Sequence, residues 1–461
     1  MKKILLIIFL LPILSKAQCW QSVTAGNSIT IAQKLDGTLW AWGKNNTAQL
    51  GIGTNTDVNV PTQINTDNNW QQFSSGGIHT IAIKTNGTLW AWGNNGAGQL
   101  GDGTTISTTV PAQIGVETDW SSISCGFGYS LSIKTNGTLW AWGKNDVGQL
   151  GDGTNSNKII PTQIGTDSNW QIVYSGLSGT TLAIKTDGTL WAWGDNTFGQ
   201  LGDGTTTNKN QPIQIGTATN WWKIASPGEH SLAIKTDGTL WAWGKNYYGQ
   251  LGDGTHTNQS VPIQIGTATN WKEVSVGAFH SLGLKTDGTL WGWGDNNYYG
   301  QLGDGYPNDQ NSPIQVGNAT DWVSISAGGV HTTAIKSDNT LWVCGWNYHG
   351  ELGNGSFTGN VPGNDSQWGL ISVSCIPLNN AVFNENTPFT FFPNPANNVL
   401  NIENPNQLII EAITVIDTMG KVIITQKGNQ NQLDVSNLQS GLYFIKIESE
   451  NKIYQGKFIK Q

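Results

Sequence analysis

Seven times the chain repeats the phrase Thr-Leu-Trp-[Ala/Gly/Val]-[Trp/Cys]-Gly, and successive copies lie 50 or 51 residues apart. The leading tryptophans are Trp40, Trp90, Trp140, Trp191, Trp241, Trp291 and Trp342. A regular period of this size marks a solenoid, a propeller or an array, in which no unit can bury its apolar faces alone.

The second repeat shows what one unit contains. Trp70–Ser75, His79–Lys84 and Thr88–Trp92 alternate as short strands, and Asn86-Gly87 between the last two is a strong hairpin signal, since both residues tolerate positive φ. The same place holds Asp36-Gly37, Asn136-Gly137, Asp187-Gly188, Asp237-Gly238 and Asp287-Gly288, and only Asp338-Asn339 departs. After the loop Gly98-Gln-Leu-Gly-Asp-Gly-Thr104 comes Val110–Ile114, where Pro111 suits an edge strand because it cannot donate to a ladder. Trp90 and Trp92 share one face of their strand, and Leu89 and Ala91 the other. A strand apolar on both faces needs cover on both sides, which blades stacked around an axis provide. The prediction is an all-β chain: a seven-bladed β-propeller followed by a small C-terminal β-sandwich. A further tryptophan opens each unit and recurs eight times, at Trp20, Trp70, Trp120, Trp170, Trp221, Trp271, Trp322 and Trp368. The spare segment, 368–375, is expected to pair beside the start of the chain and close the ring.

Composition narrows the partners. Charged residues make up 12%, the net charge is −8 and all 23 basic residues are lysines. Nucleic-acid recognition leans on arginine forks and clustered positive charge, so a nucleic-acid partner is not expected. Residues 1–17, with Lys2-Lys3, an apolar run to Leu14 and Ser15-Lys16-Ala17, read as a secretory signal peptide too short to span a bilayer. No later stretch is apolar enough for a transmembrane helix. Gln18 before Cys19 is bulkier than a lipid-attachment box normally carries. Of the four cysteines, Cys344 takes the slot of Trp42 and reads as a core thiol, whereas Cys19 and Cys375 flank the repeats and are candidates for a ring-closing disulfide.

Gly277-Ala-Phe-His280, Lys285-Thr-Asp-Gly-Thr-Leu-Trp291-Gly-Trp293-Gly and Gly300-Gln-Leu-Gly-Asp-Gly305 resemble regulator of chromosome condensation repeats. The likeness covers roughly residues 20 to 375 and implies a seven-bladed propeller. The family's eukaryotic founder is a nuclear exchange factor that binds chromatin, a role this acidic, arginine-free chain is not expected to share. Secreted bacterial relatives include protein-binding propellers.

The beat stops after Cys375. Residues 376–388 read as a linker, and 389–461 carry a different set of motifs: Phe392-Pro393-Asn394-Pro395, Met419-Gly420-Lys421, Gly441-Leu-Tyr443-Phe-Ile-Lys446 and Lys457-Phe-Ile-Lys460. These resemble the type A C-terminal sorting domain of the type IX secretion system in Bacteroidota. That resemblance implies a small β-sandwich handled by the secretion machinery, and a chain that is secreted or displayed on the outer membrane after export to the periplasm.

The chemistry-bearing residues mostly follow the repeat. His79, His230, His280 and His331 share one position that elsewhere holds Ile29 or Tyr129, so they read as core residues with each ring nitrogen bonded to backbone. Asp102, Asp152, Asp203, Asp253 and Asp304, one per unit between glycines, read as turn-stabilising and fall short of a calcium site. No metal, cofactor or catalytic set is expected. The residues that break the repeat are aromatic. Strand parity places the loops after strands one and three at one end of the ring, and these loops carry Phe127, Tyr129, Phe198, Tyr247, Tyr248, Phe279, Tyr298, Tyr299 and Tyr348. Exposed aromatics in a patch supply contact area at low entropic cost. The leading expectation is a secreted, monomeric, non-enzymatic binding propeller with a protein or glycan ligand on this rim. A polysaccharide-acting enzyme is the alternative, signalled by convergence of Asp146, Asp195, Glu229 and Asp295. A structural surface protein is the third reading.

Overall fold

Each repeat folds into one four-stranded antiparallel sheet, and seven such sheets follow one another along the chain. The computed structural model describes residues 20–226, 228–297, 299–357, 369–370, 389–405, 407–416, 422–449 and 452–461. Blade two is typical: Trp70–Ser75, His79–Lys84, Leu89–Gly93 and Thr108–Ile114 lie in that order from the axis outward. Second strands are buried at every position in blades one to four, which is the environment that the two-sided apolar pattern of the repeat demands.

The repeated phrase is explained by three contacts. At the tight turn, Thr88 donates through its amide and its hydroxyl to Asn86 Oδ1 (3.2 and 2.7 Å), and Trp90 Nε1 donates to Thr88 Oγ1 at 2.9 Å. The strand-two lysine then caps the tryptophan pair, with Lys84 Nζ 3.8 Å from the centroid of Trp90 and 4.8 Å from that of Trp70. Asn339, which replaces glycine in the seventh turn, holds φ 66°, a left-handed conformation that asparagine tolerates.

The third contact joins neighbouring blades. Trp92 is buried and lies over the loop of blade one, its Nε1 donating to Gln49 O at 3.1 Å. A Cβ on Gly51 would stand 2.5 Å from that nitrogen, so the Leu-Gly step of the loop must be glycine. The same seating closes the ring. Trp42 of blade one donates to Glu351 O of blade seven at 2.8 Å, and Gly353 lies under its ring. Around the axis, inner-strand serines cap the next blade: Ser74 Oγ accepts from Cys125 N (3.0 Å), Ser275 Oγ from Ala327 N and Ser326 Oγ from Ala25 N (both 2.9 Å).

Two expectations are corrected here. Gly369–Leu370 pairs with the third strand of blade seven, Leu370 opposite Trp342, and so fills that blade's outer position instead of lying beside the start of the chain. Blade one already has its own four strands, so the ring closes through side chains and loop contacts with no blade of mixed origin. The histidines are core residues as expected, but their Nε2 atoms meet the hydroxyl of the next blade and not backbone: His79 with Ser130 (2.8 Å), His230 with Ser281 (2.8 Å), His280 with Thr332 (3.0 Å) and His331 with Thr30 (3.0 Å). Their Nδ1 atoms have no hydrogen-bond partner. Cys125 and Cys344 are buried free thiols, while Cys19, Cys375, Trp368 and residues 1–17 lie outside the described residues.

The chain divides into two compact units, with the boundary between Cys375 and Ile376. In the second unit, Thr390–Phe392, Val399–Glu403 and Gln432–Asp434 form one sheet, and Ile410–Ile416, Val422–Lys427, Gly441–Ser449 and Lys452–Lys460 form another. Leu400, Ile413, Val415, Ile445, Ile447 and Phe458 are buried together in one core, which makes this unit the expected β-sandwich. Among the described residues of the chain there is no helix long and apolar enough to cross a membrane.

Gly51→Ala and Gly115→Ala separate the blade contact from simple backbone strain. Both glycines have positive φ, but a Cβ at Gly115 meets nothing within 4 Å. Gly115→Ala is expected to cost about 1 kcal/mol of left-handed strain and Gly51→Ala roughly 1–3 kcal/mol more through the clash with Trp92, read from thermal unfolding. Burial lowers the pKa of His79, His230 and His280 to about 3 and of His331 to about 4. Below the ordinary value of 6.5 the unfolded chain therefore binds more protons than the folded one. Stability is expected to fall as pH drops from 6.5 toward 4, each histidine contributing up to about 1.4 kcal/mol per pH unit. Thermal unfolding of His280→Thr, which copies Thr180 of blade four, should show a shallower acid dependence.

Candidate ligand-binding rim

In blades one to five the loop after strand three is held by the same two side chains. In blade two, Asn95 is wholly buried, its Oδ1 accepting from Leu100 N at 3.0 Å and its Nδ2 donating to Asp102 Oδ1 at 3.0 Å and Thr104 O at 3.1 Å. Gln99 Oε1 accepts from Ala97 N at 2.8 Å. Asp102 in turn accepts from Thr104 N at 2.9 Å, the turn-stabilising role expected of the repeated aspartates. Asn196 with Gln200 and Asn246 with Gln250 repeat the arrangement in blades four and five.

Between the fixed asparagine and glutamine sits a variable tip. Its first residue is exposed and its second half-buried: Asn46-Thr47, Gly96-Ala97, Asp146-Val147, Thr197-Phe198, Tyr247-Tyr248 and Tyr348-His349 in blades one to five and seven. Tyr247 is 69% exposed and Tyr348 55%. Blade six carries one more residue in this tip, with Asn297 exposed and Tyr299 half-buried, while Tyr298 lies outside the described residues.

These side chains form a belt over blades four to seven. Lys245 Nζ lies 4.5 Å from the Phe198 centroid and 6.0 Å from that of Phe279, and pairs with Glu229. The Tyr248 ring stands 5.5 Å from Phe279 and 5.0 Å from Tyr247. Further round, Tyr299 packs edge-on against Trp346 at 4.4 Å, Trp346 lies 5.8 Å from Tyr348, and Tyr348 lies 5.0 Å from His349. His349 Nδ1 meets Asp57 Oδ2 of blade one at 2.7 Å. Trp346 was missed by sequence reasoning. It stands in the slot that holds Lys44, Asn94, Lys144, Asp195, Lys245 and Asp295 in the other units, and aligning that column would have found it.

Phe127, 39% exposed, is on blade three and is not among these ring contacts. Tyr129 does not belong to the rim. It opens strand two of blade three in the histidine position and is wholly buried, its hydroxyl donating to Thr180 O at 2.7 Å and accepting from Gly176 N at 3.0 Å.

The four acids considered for catalysis stay in their own blades. Asp146 pairs with Lys144 at 3.1 Å, Asp195 accepts from Thr197 and Gln200, and Glu229 pairs with Lys245. Asp295 is buried beside Asp309, and burial together with that neighbour raises its pKa to about 6. At the axis, a cavity of about 170 Å³ is lined by Thr24, Ser74, Ser124, Tyr174 and Ser326 among others. No group of three or more histidine, cysteine or carboxylate side chains among the described residues could hold a metal ion.

Residues 10–223 match the RCC1-like domain, and residues 237–284 and 287–335 match the regulator of chromosome condensation (RCC1) repeat. A second RCC1 repeat description matches 223–250, 271–301 and 322–351. The chain is an RCC1-repeat propeller. Its C-terminal residues 390–461 match the secretion system C-terminal sorting domain. The domain marks the RCC1-repeat chain as a type IX secretion cargo, secreted or held at the outer-membrane surface. Human WBSCR16 is 26% identical, with a TM-score of 0.61 over 69% of this chain and 86% of that one. Prp20p from Saccharomyces cerevisiae shares the fold at 22% identity and a TM-score of 0.66, over 78% of this chain and 89% of its own. No curated protein matches the sequence.

Within the sorting-domain motifs, Pro393, Asn394 and Pro395 are exposed, and Asn394 Oδ1 accepts from Ile459 N at 2.8 Å. Gly441 is exposed at the start of its strand. Tyr443 is a core residue that stacks on Phe458 at 5.7 Å and donates to Gln439 O at 3.0 Å. Gly420 and Lys421 lie outside the described residues.

Two tyrosines of similar sequence setting are therefore expected to respond oppositely to substitution. Tyr129→Phe removes the buried hydroxyl that bridges to blade four, although Gly176 N still donates to Thr180 O at 2.7 Å, and should cost about 1 kcal/mol, whereas Tyr247→Ala should leave the unfolding temperature almost unchanged.

Proposed function

We propose that the chain is an exported, non-enzymatic binding propeller whose protein or glycan ligand docks on the rim of blades four to seven. The observation that supports this most is the exposure of Tyr247 and Tyr348 on loops whose frame is otherwise constant. Large rings held out at defined positions have no folding role to explain them, and they supply contact area with few rotamers to immobilise. Yeast RCC1 (Prp20), which shares the fold, has been crystallised with Kap60 bound. The sorting domain supplies delivery to the cell exterior, and the rim supplies recognition there.

Affinity capture from cell-surface proteins and from an immobilised glycan panel tests the reading, using the full chain beside a Tyr247→Ala/Tyr348→Ala double variant. A ligand retained by the parent chain and lost by the folded variant is the expected result. Equal capture by both would move the binding face off the rim. A sugar polymer shortened during incubation would favour an enzyme instead.

A further inference from the structure

The rim is acidic as well as aromatic. Glu229, Asp195, Asp295 and Asp309 stand on blades four to six, and Asp57 joins at the seam between blades seven and one. Lys245 is the lysine that the chain sets among the rings there, and it shows what such a notch accepts: its ammonium sits between Phe198 and Phe279 with the Glu229 carboxylate beside it. Aromatic faces and a carboxylate together stabilise a cation better than either does alone.

One blade further round, the cation is replaced and Phe279 stands in the slot of Glu229. The slot of Lys245 holds Asp295, and Tyr248 takes the place of Phe198. Asp309 Oδ1 and Asp295 Oδ1 accept from the consecutive amides of Asn296 (2.8 Å) and Asn297 (3.4 Å), Asp309 adds to the cost of ionising Asp295, and both act on the Tyr248 hydroxyl, whose pKa is raised chiefly by burial and next by Asp295. Beneath the tip, Gln250 Nε2 is buried and has no hydrogen-bond partner. Tyr247, the most exposed of these rings, overhangs the notch against Tyr248. Two neighbouring carboxylates under an aromatic edge are poorly served by a neutral sugar, whose hydroxyls leave their repulsion in place. A cation relieves it.

We propose that the rim ligand is a cationic polypeptide, which seats a lysine or arginine side chain against Tyr247, Tyr248 and the Asp295–Asp309 pair. This rests on the rim being the binding face. Seating the cation keeps Asp295 ionised, so binding releases a proton when it occurs near pH 6 and weakens on further acidification.

Hexalysine, Nε-acetylated hexalysine and a neutral β-glucan hexasaccharide serve as probes in titration calorimetry with the full chain. Three variants accompany it: Asp295→Asn, Tyr247→Ala, and Glu117→Gln, which changes the net charge equally but lies at the opposite end of the ring. Hexalysine is expected to bind, the acetylated peptide not to bind, and affinity to fall by about tenfold in Asp295→Asn and by about threefold or more in Tyr247→Ala, with Glu117→Gln within about twofold of the parent. Tyr247→Ala guards the conclusion should Asp295→Asn disturb the loop. Hexalysine affinity that ignores both rim variants, or follows Glu117→Gln equally, overturns the cationic proposal. Hexasaccharide binding lost in Tyr247→Ala would overturn it too while leaving the rim as the binding face. Failure of every probe to sense any rim variant would overturn the rim reading with it.

Discussion

The ring is held by one contact made again at successive seams: an indole from one blade seated on a glycine of the preceding blade's loop. Gly51 under Trp92, Gly101 under Trp142, Gly151 under Trp193, Gly202 under Trp243, Gly252 under Trp293 and Gly353 under Trp42 are all too close for a Cβ. Four of these indoles also donate to the backbone of that loop, in blades one, two, four and five. The contact couples two things that a repeat protein must keep together. It buries the apolar strand of each blade, and it pins the loop that the neighbouring blade presents at the rim. Blade seven departs from the rule, since Cys344 takes the indole's place and brings its sulfur 3.5 Å from Gln301 O.

Because the loops are pinned from below, their tips are released from structural duty. Asn95, Gln99 and Asp102, with their equivalents, satisfy the backbone of each turn through side chains that do not change from blade to blade, apart from Ile52 in the first and Glu351 and Asn354 in the seventh. The residues between them vary, and only some join the frame, as Thr47 does with Gln49 and His349 with Asp57. Burial and neighbouring Asp57 raise the Glu351 carboxyl to about 7, so the substitution of glutamate for glutamine places a group that titrates near neutrality at the closing seam.

The fold was legible in the sequence because its determinants are local and periodic. Asn86-Gly87 names the turn, Trp90 and Trp92 name a strand buried on both faces, and Pro111 names an edge. Seven copies of each remove the ambiguity that a single short strand leaves. Ring closure was not legible, because the opening tryptophan recurs at Trp368 whether that segment starts an eighth unit or completes the seventh; only pairing decides, and Leu370 pairs with Trp342. Tyr129 was misplaced for a different reason. A tyrosine next to a glycine-rich loop reads as exposed, while its column, shared with His79 and His280, is the first residue of strand two and reaches the next blade. The exposure of Tyr247 has no sequence signature at all beyond its failure to match Asn46 and Gly96.

The alternation of fixed anchors and free tips also bears on how such a chain changes over time. In most proteins a residue that contacts a ligand also supports its neighbours, so new specificity arrives with a loss of stability. Here the fixed anchors and the variable tips stand in different columns of one repeat. Drift at the tip positions can proceed blade by blade without disturbing the ring, and duplication of a whole unit carries the anchors along with it. The rim thus behaves as a written surface on an unchanging page, whose exposed side chains can be rewritten a pair of residues at a time.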